Sequence, residues 1–268
     1  MIVGHPVYVT ALVNLDGLTD AVAALDPAPR RWRWVSLSLC VIDAVWSIAG
    51  RYHALVVPTV GKVGAVFGLD ELTVAATTVL PPDPIPLPVL VSRFPEENSL
   101  RAVTTGNRTS SRGGIYKADA ALRYARILTG HGIDTLAHAQ GLLGDPDRFT
   151  AVEQDLRGVP GDGAHAVRRN YLWMLVGADD LIKPDRMILR WFHQHNVPAD
   201  PVTATELIGR ITDRLNSRAQ HDTTASPRRY TRWEIDHAIW QAGRRLTPAA
   251  ASYTPNRADS YGVRGVAL

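Results

Sequence analysis

Apolar positions along the chain recur mostly three and four residues apart, the spacing of a helix face, and strictly alternating stretches are scarce. In DGLTDAVAALD, Leu18, Val22 and Leu25 share one face. From Val35 to Tyr52 nearly every residue is apolar, which predicts a helix buried on all sides. TVGKVGAVFG and DELTVAATTVL predict shorter helices, the second opened by Asp70 as a cap. The proline-rich PPDPIPLP, residues 81–88, cannot be helical and predicts a loop or an extended connector. Ile115, Ala118, Leu122, Ala125 and Leu128 keep register in a helix that closes on Gly130. FTAVEQDLRGVPG reads as a helix running into a glycine stop, and DRMILRWFHQH, TATELIGRITDRLNSRA and TRWEIDHAIWQAGRRL predict three more. Thr231 and Glu234 have the spacing of a capping box. Beyond about residue 247 periodicity is lost, so a loose tail over 251–268 is expected. The pattern predicts an all-α fold of a dozen or so short helices without repeats.

Composition narrows the class. With 46% hydrophobic and 21% charged residues, the 268-residue chain is neither a membrane protein nor a disordered one, and it has ample material for a core. Its net charge of +3 is mild, and the arginines matter more as clusters than as a total: Arg30-Arg31-Trp32-Arg33, Arg168-Arg169, Arg228-Arg229 and Arg244-Arg245. Such clusters are compatible with a polyanion, although most arginines of this kind are solvated helix faces. The single cysteine, Cys40, lies in an apolar run, which excludes a disulfide within the chain and any thiolate metal or iron–sulfur site. The sequence begins without a basic-then-apolar leader, and no membrane-length apolar run is free of charge, proline and glycine. A cytoplasmic protein without a membrane partner, acting as a monomer, is the expectation.

One segment concentrates candidate chemistry: LRGVPGDGAHAVRRNYLWMLVGADDLIKPDRMILRWF, from Leu156 to Phe192. Gly158, Gly161 and Gly163 allow a tight turn and close backbone approach. The following helix aims its free N–H groups at that turn, an arrangement that can hold a phosphate. Ala164, Val167, Tyr171 and Leu175 face a core, leaving Arg168 and Arg169 to one side. Asp185 follows Pro184 and precedes an apolar helix; on its own it is a helix cap, as each glycine on its own is a turn.

Together the hairpin LRGVPGDG, KPDRMILRWF and their spacing resemble the helix-hairpin-helix, Gly/Pro-rich, catalytic-Asp (HhH-GPD) superfamily of base-excision DNA glycosylases. SLCVIDAVWSIAGRY resembles the family's early buried helix, and GGIYKADAALRYARIL its Lys-Ala helix before the hairpin. The resemblance implies a two-lobed domain over residues 1–250, with a helical-bundle lobe at about 52–177 and a second lobe from 1–51 plus 178–250. It implies that Asp185 is the catalytic carboxylate, stabilising the sugar cation and activating water. It implies double-stranded DNA as partner, bound through Gly158, Gly161, Gly163, Arg168, Arg169 and Lys183. Asp43, Trp46, Tyr52, Tyr116 and Trp191 are candidates for the base pocket. Asp43, set in an apolar helix, needs a partner, for which Arg51 and the Asp185 loop are candidates.

Two departures refine the expectation. GDGAHAVRRN lacks the lysine with which bifunctional members form a Schiff base, implying a monofunctional enzyme with water as nucleophile. The cysteines of the iron–sulfur subgroup are also absent. Hence no cofactor, no metal site and no cluster are expected, and the resemblance allows only a monovalent cation at the hairpin. His193 and His195, two apart on one helix, do not share a face, and His237 reads as a packed histidine. Two other readings stay open: a DNA-binding protein that kept the scaffold without catalysis, and an all-α protein whose hairpin is purely structural.

Overall fold

The computed structural model describes residues 13–48, 50–162, 165–221 and 228–246. Among them are twelve α-helices and one two-stranded sheet. The order is α1 (Leu15–Ala23), β1 (Trp32–Trp34), α2 (Leu37–Ser47), α3 (Val57–Val66), β2 (Thr73–Ala75), α4 (Leu87–Arg93), α5 (Glu97–Val103) and α6 (Lys117–Gly130). It continues with α7 (Leu136–Leu142), α8 (Pro146–Arg157), α9 (Val167–Val176), α10 (Arg186–Gln194), α11 (Pro201–His221) and α12 (Arg232–Arg245). A π-helical turn, Tyr52–Val56, leads into α3. The all-α expectation holds, while Gly163 and the tail over 251–268 lie outside the described residues.

Buried apolar side chains form two clusters. The first is built around α2, on which every residue from Leu37 to Trp46 is buried, packed by α3, α6 and α9. The continuous apolar run of the sequence is the cause, since a helix without a polar face must be surrounded. Residues 35–46, grouped above with the second lobe, thus pack in the cluster that runs to Val176. The second cluster joins α1 to α10, α11 and α12 through Leu18, Val22, Ile188, Phe192, Ile211 and Ile239.

The helix expected over Val35–Tyr52 stops at Ser47. Ile48 is extended, and the buried Lys117 ammonium donates to the carbonyls of Trp46 (2.9 Å) and Ile48 (2.6 Å). A lysine there satisfies carbonyls that the ended helix leaves open. Burial, with Arg168 and Lys183 nearby, lowers its ammonium to about 8.

DELTVAATTVL is not a helix. Thr73–Ala75 is a strand antiparallel to β1, pairing Trp32 with Ala75, Arg33 with Val74 and Trp34 with Thr73. Its Thr and Val are β-branched, and the partner WRW alternates; these local preferences outweigh the helical spacing of neighbouring apolar residues. The proline connector is irregular only up to Pro86, with bends at residues 84 and 85. Contrary to the expectation its last two residues, Leu87 and Pro88, open α4, since the first turn of a helix tolerates proline. Within it Asp83 receives the Leu37 N–H (2.9 Å) and the Leu136 N–H (2.8 Å), so one carboxylate ties the first turns of α2 and α7.

Helices α10 and α12 pack so closely at Gly243 that an added Cβ would collide with the Met187 carbonyl oxygen, which is backbone and cannot swing away. Gly243→Ala should cost about 1–3 kcal/mol in thermal or denaturant unfolding. An unchanged unfolding midpoint would show that the two helices separate freely.

Candidate active site

A cavity of about 720 Å³ opens between the segment that leads into β1, the inner face of α9 and one face of α12. Its underside rests on Asp43, which is 0% exposed. That carboxylate receives hydrogen bonds from Trp34 Nε1 (2.8 Å), Ser47 Oγ (2.7 Å), the Tyr52 hydroxyl (3.1 Å) and the Tyr171 hydroxyl (3.5 Å). Burial pushes the Asp43 carboxyl up, against the pull of these donors and of Lys183. The donors Trp34, Tyr52 and Tyr171 line the cavity themselves, so one buried acid fixes three of its aromatic walls.

Lys183 enters from the loop between α9 and α10. Its ammonium lies 3.5 Å from the Tyr171 ring centroid and 3.9 Å from Asp185 Oδ2. Burial lowers the Lys183 pKa, and the carboxylates of Asp185, Asp43 and Asp236 oppose that shift. Asp185 has extended backbone and caps α10: Oδ1 accepts from the Met187 N–H (2.7 Å) and the Ile188 N–H (3.4 Å). Oδ2 accepts from Trp240 Nε1 (3.1 Å), and Trp240 is part of the cavity wall. Asp185 itself is not among the lining residues; it sits behind Trp240 and Lys183, which are, fixed by a helix N-terminus, an indole and a lysine.

The α12 wall is a stack. Arg30 lies 4.3 Å above Trp233; His237 stacks on Trp233 at 4.7 Å and 11°, and on Trp240 at 6.0 Å and 18°; Arg244 closes the row 4.6 Å from Trp240. Positions 233, 237, 240 and 244 are successive turns of one helix face. Burial and the Arg30 charge lower His237 to about 4, so the stacked imidazole is neutral at physiological pH. Asp236, 5% exposed, also lines the cavity and receives the Lys183 backbone N–H at 3.0 Å.

Helices α8 and α9 are joined by the turn containing Val159-Pro160-Gly161, with Gly161 at φ +88° against the Thr109 side chain. A second hollow of about 540 Å³ lies here, lined by Gly161, Arg157 and His165 among others. Ala166 precedes α9 in a left-handed conformation, and among the described residues no side chain caps that helix. Gly158 ends α8 in right-handed helical geometry rather than at positive φ.

The arginine doublet turns inward rather than to one side. Arg168, 1% exposed, donates to the Tyr124 hydroxyl (2.9 Å) and to the carbonyls of Val159 (2.8 Å) and Pro160 (3.2 Å). Arg169 pairs with Asp162 (2.8 Å) and with Glu153. Both arginines hold the hairpin from beneath, and Asp162 is their counter-charge. Lys183 likewise faces Tyr171 and Asp185 within the fold.

The pocket candidates separate in the same way. Trp46 is buried in the first cluster with its Nε1 on Thr105 (2.8 Å), and Trp191 is buried in the second against Phe192. Tyr116 sits between the Arg101 and Arg108 guanidiniums, 4.3 and 4.0 Å away. None of the three lines the cavity, whereas Tyr52 does and Asp43 supports it. Of the α12 wall, Trp233, Asp236, His237 and Trp240, only His237 is singled out in the sequence, as a packed histidine, yet WEIDHAIW sets all four at helical spacing opposite the apolar Ile235 and Ile239.

Residues 14–244 match the profile of a domain of unknown function, DUF8548. The chain belongs to that family. No curated protein and no solved structure matches it. Among the described residues no group of three or more potential metal ligands is assembled, and no helix is long and apolar enough to cross a membrane.

Burial and the nearby Asp185 charge push the Asp236 carboxyl of this DUF8548 domain up to about 8, against the opposing Lys183 N–H and ammonium. Around it stand Lys183 and Asp185, with Asp43 and Tyr171 behind Lys183 and His237 beside it on α12. An acid raised on folding holds a proton that the unfolded chain releases. The stability this provides is complete below the ordinary carboxylate range and is lost as pH rises through about 8. Asp236→Asn should therefore unfold at a higher temperature than the parent at pH 9, with the gap closing by pH 5. A gap independent of pH would show that Asp236 does not titrate in this window.

Proposed function

We propose that this protein is a monofunctional DNA glycosylase, hydrolysing the N-glycosidic bond of a damaged or modified base in duplex DNA. The observation that carries this reading is the Asp185 carboxylate, held by two backbone N–H groups and bonded to Trp240 Nε1, with Trp240 and its other neighbour Lys183 both lining a cavity with aromatic walls and a cationic rim. Bases in a duplex are reachable only after extrusion, and an extruded nucleotide needs flat apolar walls for the base and cations for its phosphates. Trp34, Tyr52 and Trp240 supply the first, Arg31 and Arg245 the second. As the bond breaks, positive charge develops on the sugar; a fixed carboxylate stabilises it and takes a proton from the attacking water.

The two-lobed HhH-GPD architecture belongs to the same proposal. It is supported by the two hydrophobic clusters, by the helix–turn–helix of α8 and α9, and by α9 itself, which starts at the hairpin and carries Tyr171 into the cavity. With both arginines engaged internally, backbone N–H groups at the uncapped start of α9 are the phosphate anchor, assisted by Arg157 and His165 at the hollow. DNA incubated with the protein and then filtered should release a free modified base detectable by mass spectrometry. Release of intact nucleotides instead would identify a nuclease and refute the reading.

A further inference from the structure

The cavity wall holds an acid, Asp236, whose task the Asp185 mechanism leaves open. Asp236 sits one turn before Trp240 on the same face of α12, and residues so spaced have Cβ atoms about 5–6 Å apart. Trp240 reaches Asp185 Oδ2 through its indole (3.1 Å), and Lys183 touches both acids, Asp236 by its backbone N–H (3.0 Å) and Asp185 by its ammonium (3.9 Å). The two carboxyls are thus linked through Lys183, Asp236 on the cavity wall and Asp185 behind Trp240 and Lys183, which line it. Asp185 is surrounded by donors. Asp236 has a single hydrogen bond, to Oδ1, among the described residues, and it is one of the residues lining the cavity although only 5% exposed.

We propose that Asp236 is the general acid of this site, donating a proton from Oδ2 to a ring nitrogen or carbonyl oxygen of the departing base, so that the substrate is a base that leaves as a neutral, protonated species. This rests on the glycosylase reading above. In the step, the C1′–N bond breaks with its electron pair passing to the base, and the Asp236 proton neutralises the charge that would form there. Water adds to C1′ and gives a proton to Asp185. Asp185 then releases its proton to solvent and Asp236 regains one, so the net reaction is hydrolysis. Burial favours the protonated form of Asp236 up to about pH 8, which supplies the proton at neutral pH. The charges that bear on it through space are those of Lys183 and Asp185, with Asp43 behind Lys183 and Arg30 beyond the neutral His237.

The test compares two leaving groups in single-turnover excision. A neutral modified base needs a proton to leave well, whereas an N7-methylated purine already carries a positive charge and leaves neutral without one. Asp236→Asn, whose amide oxygen can still accept the Lys183 N–H, should slow release of the neutral base by roughly a hundredfold or more and the methylated base far less. The parent's rate on the neutral base should fall as pH rises through about 8, and the variant's profile should be flat there. Equal slowing of both bases, or a variant profile that keeps the parent's limb, overturns the acid role while leaving the glycosylase reading intact. Activity of the parent on the methylated base alone also overturns it. A parent inactive on both, with DNA bound, removes the glycosylase reading and this role with it. Thermal unfolding of the variant at pH 5 confirms that the comparison is between folded proteins.

Discussion

Asp185→Asn is expected to lose base excision by about a hundred- to a thousand-fold while binding DNA as tightly as the parent. The asparagine side chain has the same shape, and its carbonyl oxygen can still receive the Met187 and Ile188 N–H groups, so α10 keeps its cap. The Trp240 indole can still donate to that side chain only if the amide oxygen faces it, so one of the two contacts weakens. Neither change should cost the fold more than about 1 kcal/mol. In the proposed mechanism, what disappears is the negative charge facing the sugar cation and the base that takes the water proton. Loss of one preorganised electrostatic group costs roughly 2.7–4 kcal/mol in transition-state stabilisation. Rate and unfolding midpoint are measured on the same preparation. An Asn variant as active as the parent would reduce Asp185 to a helix cap.

The largest expected effect on stability lies at Arg168. Its guanidinium is 1% exposed and links the Val159 and Pro160 carbonyls of the hairpin to Tyr124 on α6, with Asp162 Oδ1 3.9 Å away. Removing one member of a buried charged network leaves the others without compensation, a cost of about 3–5 kcal/mol. Arg168→Ala should therefore lower the unfolding midpoint severely or prevent folding. Arg31→Ala, at an exposed position, should change stability by less than about 0.5 kcal/mol. Denaturant titration of the two variants side by side decides it. An Arg168→Ala protein as stable as the Arg31→Ala protein would mean that the hairpin is held by its backbone alone.

The helices were legible because their cause is local: apolar spacing, caps such as Thr231 before α12, and breakers such as Pro81–Pro86. The capping box was only half right, since Thr231 receives the Glu234 N–H while the Glu234 carboxylate turns to Arg228. Boundaries were misread where a distant residue decides them. The end of α2 depends on Lys117, some seventy residues later, and β2 exists because β1 lies beside it. The site shows the same division. Asp185 stands out in sequence because KPD before an apolar helix is a compact signal. The inward turn of Arg168 and Arg169 is not visible there, because the acids and carbonyls that hold them lie on α8 and in the hairpin. The α12 wall was visible as spacing, but nothing in a single sequence says which polar helix face meets a cavity and which meets water.

The central claim is most directly tested by incubating the protein with duplexes that each carry one modified base, then treating half of every sample with alkali. A monofunctional glycosylase leaves an abasic site, so strand breaks should appear at the modified position only in the alkali-treated half, and should vanish for Asp185→Asn. Breaks at that position without alkali would contradict the water mechanism, and an absence of breaks across the panel, with the duplexes bound, would contradict base excision itself.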